Sequence, residues 1–292
     1  MAVVGTGPLV ADAVARGIGI GAFNVIHLET AEALVAAAER AGCGVILQIS
    51  QNCVAYHGAL EPIGRASLEI AAAAGVPVAV HLDHAEDEDL ARRAVDLGFG
   101  SVMFDGAALD YDRNVEATAR VVTYAHERGV YVEAELGEIG GKDGAHAPGV
   151  RTDPDEAARF VAQTGVDALA VAVGSSHAMT ERVARVDTAL IARIHEAVPV
   201  PLVLHGSSGV PDDQLVAAIA SGITKINVST HLNACFTGTV RRYLDDHPAV
   251  VDSRKYVREG RRALAQEAER LIRLFASVPD TAGASARMPD RS

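Results

Sequence analysis

The sequence has no tryptophan, 4% aromatic residues and three cysteines among 292 residues. Without large rings, a core has to be closed by Ala, Val, Leu and Gly, a composition suited to helices packed tightly against a parallel sheet. Cys43, Cys53 and Cys235 are odd in number and far apart, with no Cys-x-x-Cys pair. That excludes a disulfide framework and a thiolate zinc site. Long apolar runs are also missing. Stretches such as Val166 to Val173 fall well short of the ~20 residues a bilayer span requires, so no membrane partner is expected. Basic residues are in the minority, 26 Lys plus Arg against 38 Asp plus Glu, for a net charge of −12. Neither a nucleic acid nor an anionic membrane surface has a basic face to bind. The first residues lack a basic region, and Asp12 and Arg16 interrupt the first apolar stretch. They read as no secretory leader, so the expected location is cytoplasmic.

What the chain does have is alternation. Short β-branched or apolar runs at Ile18 to Phe23, Val45 to Ile49, Val76 to Leu82, Ser101 to Phe104, Val130 to Leu136, Ala168 to Val173, Pro201 to Leu204 and Ile223 to Val228 read as eight strands. Helical periodicity fills the intervals: Glu29 to Ala41, Ile63 to Ala74, Asp87 to Leu97, Asp112 to Arg128, Pro154 to Thr164, Thr188 to Val198 and Pro211 to Ser221. Pairs such as Ala41-Gly42, Leu97-Gly98 and Arg128-Gly129 set glycine where a helix C-terminus turns left-handed. Eight β/α units predict an α/β protein with a (β/α)8 (TIM) barrel over residues 1–277 as a single domain, with an added C-terminal helix over Tyr256 to Phe275. A doubly wound open sheet fits less well, since it has fewer strands and the first strand is followed by no GxGxxG turn. Residues 278–292, poor in apolar side chains, read as a disordered tail.

Barrel chemistry sits at the C-terminal ends of the strands. All eight ends are polar here: Asn24, Ser50, Asp83-His84, Asp105, Glu135, Ser176-His177, His205, and Asn227-Ser229-Thr230. Any one of them alone reads most simply as a turn or cap residue. Together, three histidines, three carboxylates and two asparagines at one mouth point to a metal centre with hydrogen-bonding substrate contacts. His84, His177 and His205 could ligate one zinc ion and leave a position open, whereas His81 reads as interior packing. His205-Gly206-Ser207-Ser208-Gly209 and Asn227-Val228-Ser229-Thr230 each lead into a helix after the last two strands, where barrels hold phosphates, although either could be an ordinary turn.

These motifs resemble the class II, metal-dependent ketose-bisphosphate aldolases, which include fructose- and tagatose-1,6-bisphosphate aldolases. The resemblance runs through Gly21 to Val25, Val80 to His84, Ser101 to Gly106, Val132 to Gly137, Gly174 to His177, Leu204 to Gly206, Lys225 to Thr230 and Asp252 to Tyr256. It implies catalytic Zn2+ on His84, His177 and His205, and a second divalent or monovalent cation position at Asp105 and Glu135. It implies dihydroxyacetone-phosphate contacts at Ala178, Gly206, Ser207, Ser208, Asn227, Val228, Ser229 and Thr230, with further substrate contacts at Asn24 and Ser50. Arg254 resembles a residue that reaches a neighbouring subunit's second phosphate, which implies a homodimer or homotetramer. That arginine lies in residues 241–292, where the local charge is +3 while the residues before it carry −15.

The implied reaction is reversible cleavage of a ketose 1,6-bisphosphate, fructose 1,6-bisphosphate first, through a zinc-stabilised enediolate. Asp83 would protonate the developing alkoxide in condensation and take that proton back in cleavage. Departures fall on Ala178 and Ser207, where many relatives have glycine, and on Gln51-Asn52-Cys53. The loop glutamate that relatives use to abstract the carbon-bound proton is replaced here by Lys142-Asp143, which makes Asp143 the candidate base. The alternatives are a tagatose-bisphosphate or other dihydroxyacetone-phosphate aldolase of the same family, a Schiff-base aldolase using Lys225, and a sugar-phosphate binding protein without catalysis.

Overall fold

The computed structural model describes residues 3–136, 151–177 and 179–277. Eight parallel strands close on themselves in sequence order: β1 (Ile20–Asn24), β2 (Val45–Ser50), β3 (Val78–Ala85), β4 (Ser101–Phe104), β5 (Tyr131–Glu135), β6 (Ala168–Ala170), β7 (Leu202–Leu204) and β8 (Ile223–Val228). β8 pairs back onto β1 from Ile20 against Lys225 to Phe23 against Val228. The helices are α1 (Thr6–Arg16), α2 (Leu28–Ala41), α3 (Gln51–His57), α4 (Glu61–Ala73), α5 (Glu88–Leu97), α6 (Tyr111–His126), α7 (Pro154–Thr164), α8 (Thr188–Ala197), α9 (Asp212–Ala220), α10 (Thr230–Asp246) and α11 (Ser253–Phe275). The barrel and the added terminal helix are as expected. None of the described helices is long and apolar enough to cross a membrane.

Differences at the strand boundaries have local causes. Ile18 and Gly19 are spent closing other elements rather than opening β1, because their N–H groups bond Ala13 and Phe275 carbonyls. β6 ends at Ala170 because Ala172 leaves the ladder and exchanges hydrogen bonds with Thr152. Helices α1 and α3 interrupt stretches that carried no clear period. α1 seals the base of the barrel, where Val10 and Ala13 join Ile18, Ile20, Ala22, Ile46 and Ala79 in a buried cluster. α11 lies across α2 and β1, with Phe275 stacked 6.5 Å from Phe23. The main core is the aliphatic layer between strands and outer helices, with Leu34, Leu47, Val80, Leu82 and Ile191 fully buried. Inside the barrel, Gln48, His81, Glu133 and Lys225 form a buried polar layer between that sealed base and the mouth.

Candidate active site

His81 and Asp83 are two apart on β3 and share one face, so strict alternation would send His84 to the other. One extra residue solves this. Leu82 pairs with Val102 but Ala85 pairs with Phe104, so three steps on β3 match two on β4, a bulge of the kind that re-aims a side chain. His84 takes φ 48°, the one positive φ at a non-glycine among the described residues. That left-handed turn costs backbone energy, and here it lets Asp83 and His84 line the same cavity.

Three imidazoles meet there. The ring centroids of His84, His177 and His205 are 4.9, 4.6 and 5.6 Å apart. One donor atom from each lies within 4.8 Å of the others. The outer nitrogens of two rings are committed: His84 Nδ1 donates to Asp105 Oδ2 at 2.6 Å, and His205 Nε2 donates to Glu133 Oε1 at 2.9 Å. The inner nitrogens, His84 Nε2 and His205 Nδ1, then face each other at 2.9 Å. Two lone pairs at that separation require a shared proton or a cation between them. Imidazole nitrogens suit zinc, copper, iron or nickel, so the donor set fits a transition metal. Burial opposes charge on His84, but the carboxylates of Asp83, Asp105 and Glu135 outweigh it and push the pKa up to about 9. Burial and the charge on His84 hold His205 well below the usual imidazole range.

Asp83 is held by amides from three strands. Asn24 Nδ2 and Gln48 Nε2 donate to Oδ2 at 3.5 and 3.4 Å, and Asn227 Nδ2 to Oδ1 at 3.3 Å. Gln48 also donates to Asn24 Oδ1 at 2.7 Å, locking that pair. Among the described residues, Gln48 Oε1 and Asn227 Oδ1 are buried acceptors without a protein partner, capacity that substrate hydroxyls can use.

The opposite wall is a helix N-terminus. Ser208 Oγ accepts from the N–H groups of Ser229 and His231 at 3.2 and 3.1 Å, at the start of α10. The helix dipole and the first N–H groups favour an anion at that end. Gly206 makes the approach possible: its φ is 66°, and a Cβ would lie 2.6 Å from the Ser176 backbone. Any larger residue would drive the His177 segment away from His205.

The cavity, 190 Å³, brings together Asn24, Ser50, Asp83, His84, His177, His205, Gly206, Ser208, Asn227, Ser229 and Thr230. Ser50 also caps α3, accepting from Cys53 N at 3.2 Å. Asp105 and Glu135 are buried against the far edge of the His84 ring, with Oδ2 and Oε2 at 2.6 and 3.9 Å from Nδ1. Three of the named residues do not line this chain's own cavity, Arg254 among them as the neighbour-reaching reading requires. Ser207 Oγ donates to Leu204 O at 3.0 Å, so its side chain does not narrow the cavity. Val228 is buried and does not line it. The Arg254 side chain is 89% exposed and paired with Asp252 of its own chain. Asp143 and Ala178 lie outside the described residues.

Two residues escaped the sequence reading: Gln48, which lines the cavity, and Glu133, which lies behind it against Lys225. Gln48 and Glu133 each stand two before a strand-end residue, Ser50 and Glu135, so alternation places them on the same inward face. Asn52, in the Gln51-Asn52-Cys53 departure, also lines the cavity. Lys225 is 1% exposed with Nζ 2.7 Å from Glu133 Oε2, off the cavity wall. Held by Glu133 and absent from the wall of the cavity that a ketone would enter, Lys225 is poorly placed as a nucleophile, which argues against the Schiff-base alternative.

The family model for class-II fructose-bisphosphate aldolase matches residues 4–279. Among solved structures, the YdjI aldolase from Escherichia coli K12 is 33% identical with TM-score 0.83, the alignment covering 94% of this chain and 98% of that one. A putative fructose-1,6-bisphosphate aldolase from Coccidioides immitis is 29% identical with TM-score 0.82, over 92% and 95% of the two chains. Fructose-bisphosphate aldolase from Campylobacter jejuni shares the fold at 22% identity and TM-score 0.75, over 94% and 96%. With that match across nearly its whole length, and with its polar strand ends gathered at one mouth, the chain belongs to the class-II fructose-bisphosphate aldolase family and is a carbon-carbon lyase.

Proposed function

We propose that this aldolase uses a zinc ion on His84, His177 and His205 to cleave and form a ketose 1,6-bisphosphate, with fructose 1,6-bisphosphate as the first substrate to test. The observation that carries the reading is the pair of inner nitrogens, 2.9 Å apart, on rings whose outer nitrogens are already bonded to carboxylates. Bound there, the cation supplies Lewis-acid stabilisation to the negative charge that develops on substrate oxygens. The α10 N-terminus with Gly206, Ser208, Ser229 and Thr230 holds the phosphate of the dihydroxyacetone-phosphate half. Asp83 takes the hydroxyl proton when the carbon-carbon bond breaks and returns it to the alkoxide in condensation. Asn24, Gln48 and Asn227 keep its carboxylate aimed at that hydroxyl. Asp105 and Glu135, beside the His84 ring, are the donors for a second cation. Asp143 remains the proposed carbon-proton base.

An oligomer completes the reading. Arg254 cannot serve its own cavity from its exposed position, and of α10 only Leu232 is buried. Nearby, Val251 is 94% and Leu244 38% exposed. A homodimer or homotetramer would cover these side chains and carry Arg254 to a neighbour's second phosphate. The test is coupled release of dihydroxyacetone phosphate from fructose and tagatose 1,6-bisphosphates, with metal content and sedimentation measured on the same sample. Turnover of neither, by protein with one zinc per chain, overturns the substrate assignment.

A further inference from the structure

The proposed chemistry uses His205 but gives no work to the two charged side chains behind it. Lys225 on β8 and Glu133 on β5 meet inside the barrel, each 1% exposed, with Nζ 2.7 Å from Oε2. The other carboxylate oxygen, Oε1, is 2.9 Å from His205 Nε2, and the line continues through the ring to Nδ1, which faces His84. Stability does not explain such a pair, because removing two ions from water offsets most or all of their attraction. The lining beside it offers an apolar solution, with Met103, Ala168, Ala170 and Val203 buried together in the same interior.

The pair's effect on the ring is specific. Glu133 can accept from His205 only if the imidazole proton is on Nε2, and that leaves the lone pair on Nδ1. Asn227 Nδ2 sits 3.2 Å from the same Nε2. It already donates to Asp83, and the charged carboxylate, which is the nearer group, is the stronger acceptor. Lys225 in turn fixes the carboxylate's position and pairs its charge in a buried site. We propose that Lys225 and Glu133 are a positioning pair, which holds His205 in the Nε2–H form and presents its Nδ1 to the metal. The proposal rests on the metal-centre reading of the three histidines.

The test is a neutral, near-isosteric replacement of both partners, Glu133→Gln with Lys225→Met, beside Lys225→Met alone. The double variant leaves no buried charge unpaired, so its denaturant midpoint should stay near the parent's. Its zinc affinity, read by competition with a chromophoric chelator, should fall about 10–100-fold, the usual loss on removing a carboxylate behind a ligating imidazole. Parental zinc affinity in the folded double variant overturns the proposal. Should the variant fail to fold, 15N spectra of the parent labelled at histidine, recorded metal-free at pH 10, decide instead. A proton on His205 Nε2 supports the pair's role, and a proton on Nδ1 refutes it. A parent that binds no zinc sinks the metal reading, while the spectra still test the pair.

Discussion

The two ends of the barrel are built from the same strands and share almost no chemistry. At the base, α1 closes the opening with Val10 and Ala13 over Ile20, Ala22, Ile46 and Ala79. The hollow there is 410 Å³, lined mostly by aliphatic side chains such as Leu9, Ile18, Ile20 and Ile272, and its Asp12 and Arg16 pair with each other. The mouth holds 190 Å³, and apart from Gly206 every residue of its wall has a polar side chain. β3 shows the change along one strand, from Ala79 near the base through His81 to Asp83 and His84 at the rim. Size therefore misleads as a guide to function. Depth along the strand and the face each residue takes decide whether a side chain stabilises the barrel or acts at its opening.

Substitutions should separate the two ends. The largest effect is expected from Asp83→Asn, which keeps the side chain's shape and one acceptor oxygen while removing the proposed proton carrier. Its kcat should fall about 10²–10⁴-fold in coupled dihydroxyacetone-phosphate release, with the unfolding midpoint unchanged. At the other end, Ile46→Ala should cost about 2–5 kcal/mol in denaturant unfolding. Its zinc affinity and the kcat of the folded fraction should stay at parental values, and a comparable loss of activity would erase the division between base and mouth.

Protons sharpen the same contrast. A cation must displace the proton that carboxylates hold on His84 up to about pH 9. Zinc affinity should thus rise about tenfold per pH unit below about 9 and flatten above it, as a chelator competition series would record. Away from the mouth, on α11, hydrogen bonds from His231 and Arg270 outweigh partial burial and lower Glu267 to about 2. Its folded pKa lies below the unfolded value, so its stabilisation is present above about pH 4.5 and is lost as acid approaches about 2. Solvent screens this pair, and Glu267→Gln should cost about 1 kcal/mol or less at pH 7 and nothing near pH 2, measured by thermal unfolding.

The strand ends were legible because barrel topology converts a list of residues after apolar runs into neighbours in space. His84, His177 and His205 are 93 and 28 residues apart in sequence, yet their rings lie side by side. What stayed hidden depends on details that periodicity does not encode. The β3 bulge has no glycine or proline to announce it, and only the mismatch against β4 shows how Asp83 and His84 reach one cavity. Ser207 reads as part of an anion loop, but its hydroxyl caps the Leu204 carbonyl instead. Lys225 reads as a nucleophile at the right depth, and its role changes once Glu133 is seen opposite it. Pairing across a barrel is a property of closure, which neither strand carries alone.

The most direct test of the metal-centred mouth is a zinc titration of the metal-stripped protein, with dihydroxyacetone-phosphate release from fructose 1,6-bisphosphate followed at each addition. Activity should start near zero, climb linearly and break at one zinc per chain, and it should vanish in the His205→Ala variant. Undiminished turnover by the stripped protein, or a parental titration curve from His205→Ala, would contradict the account.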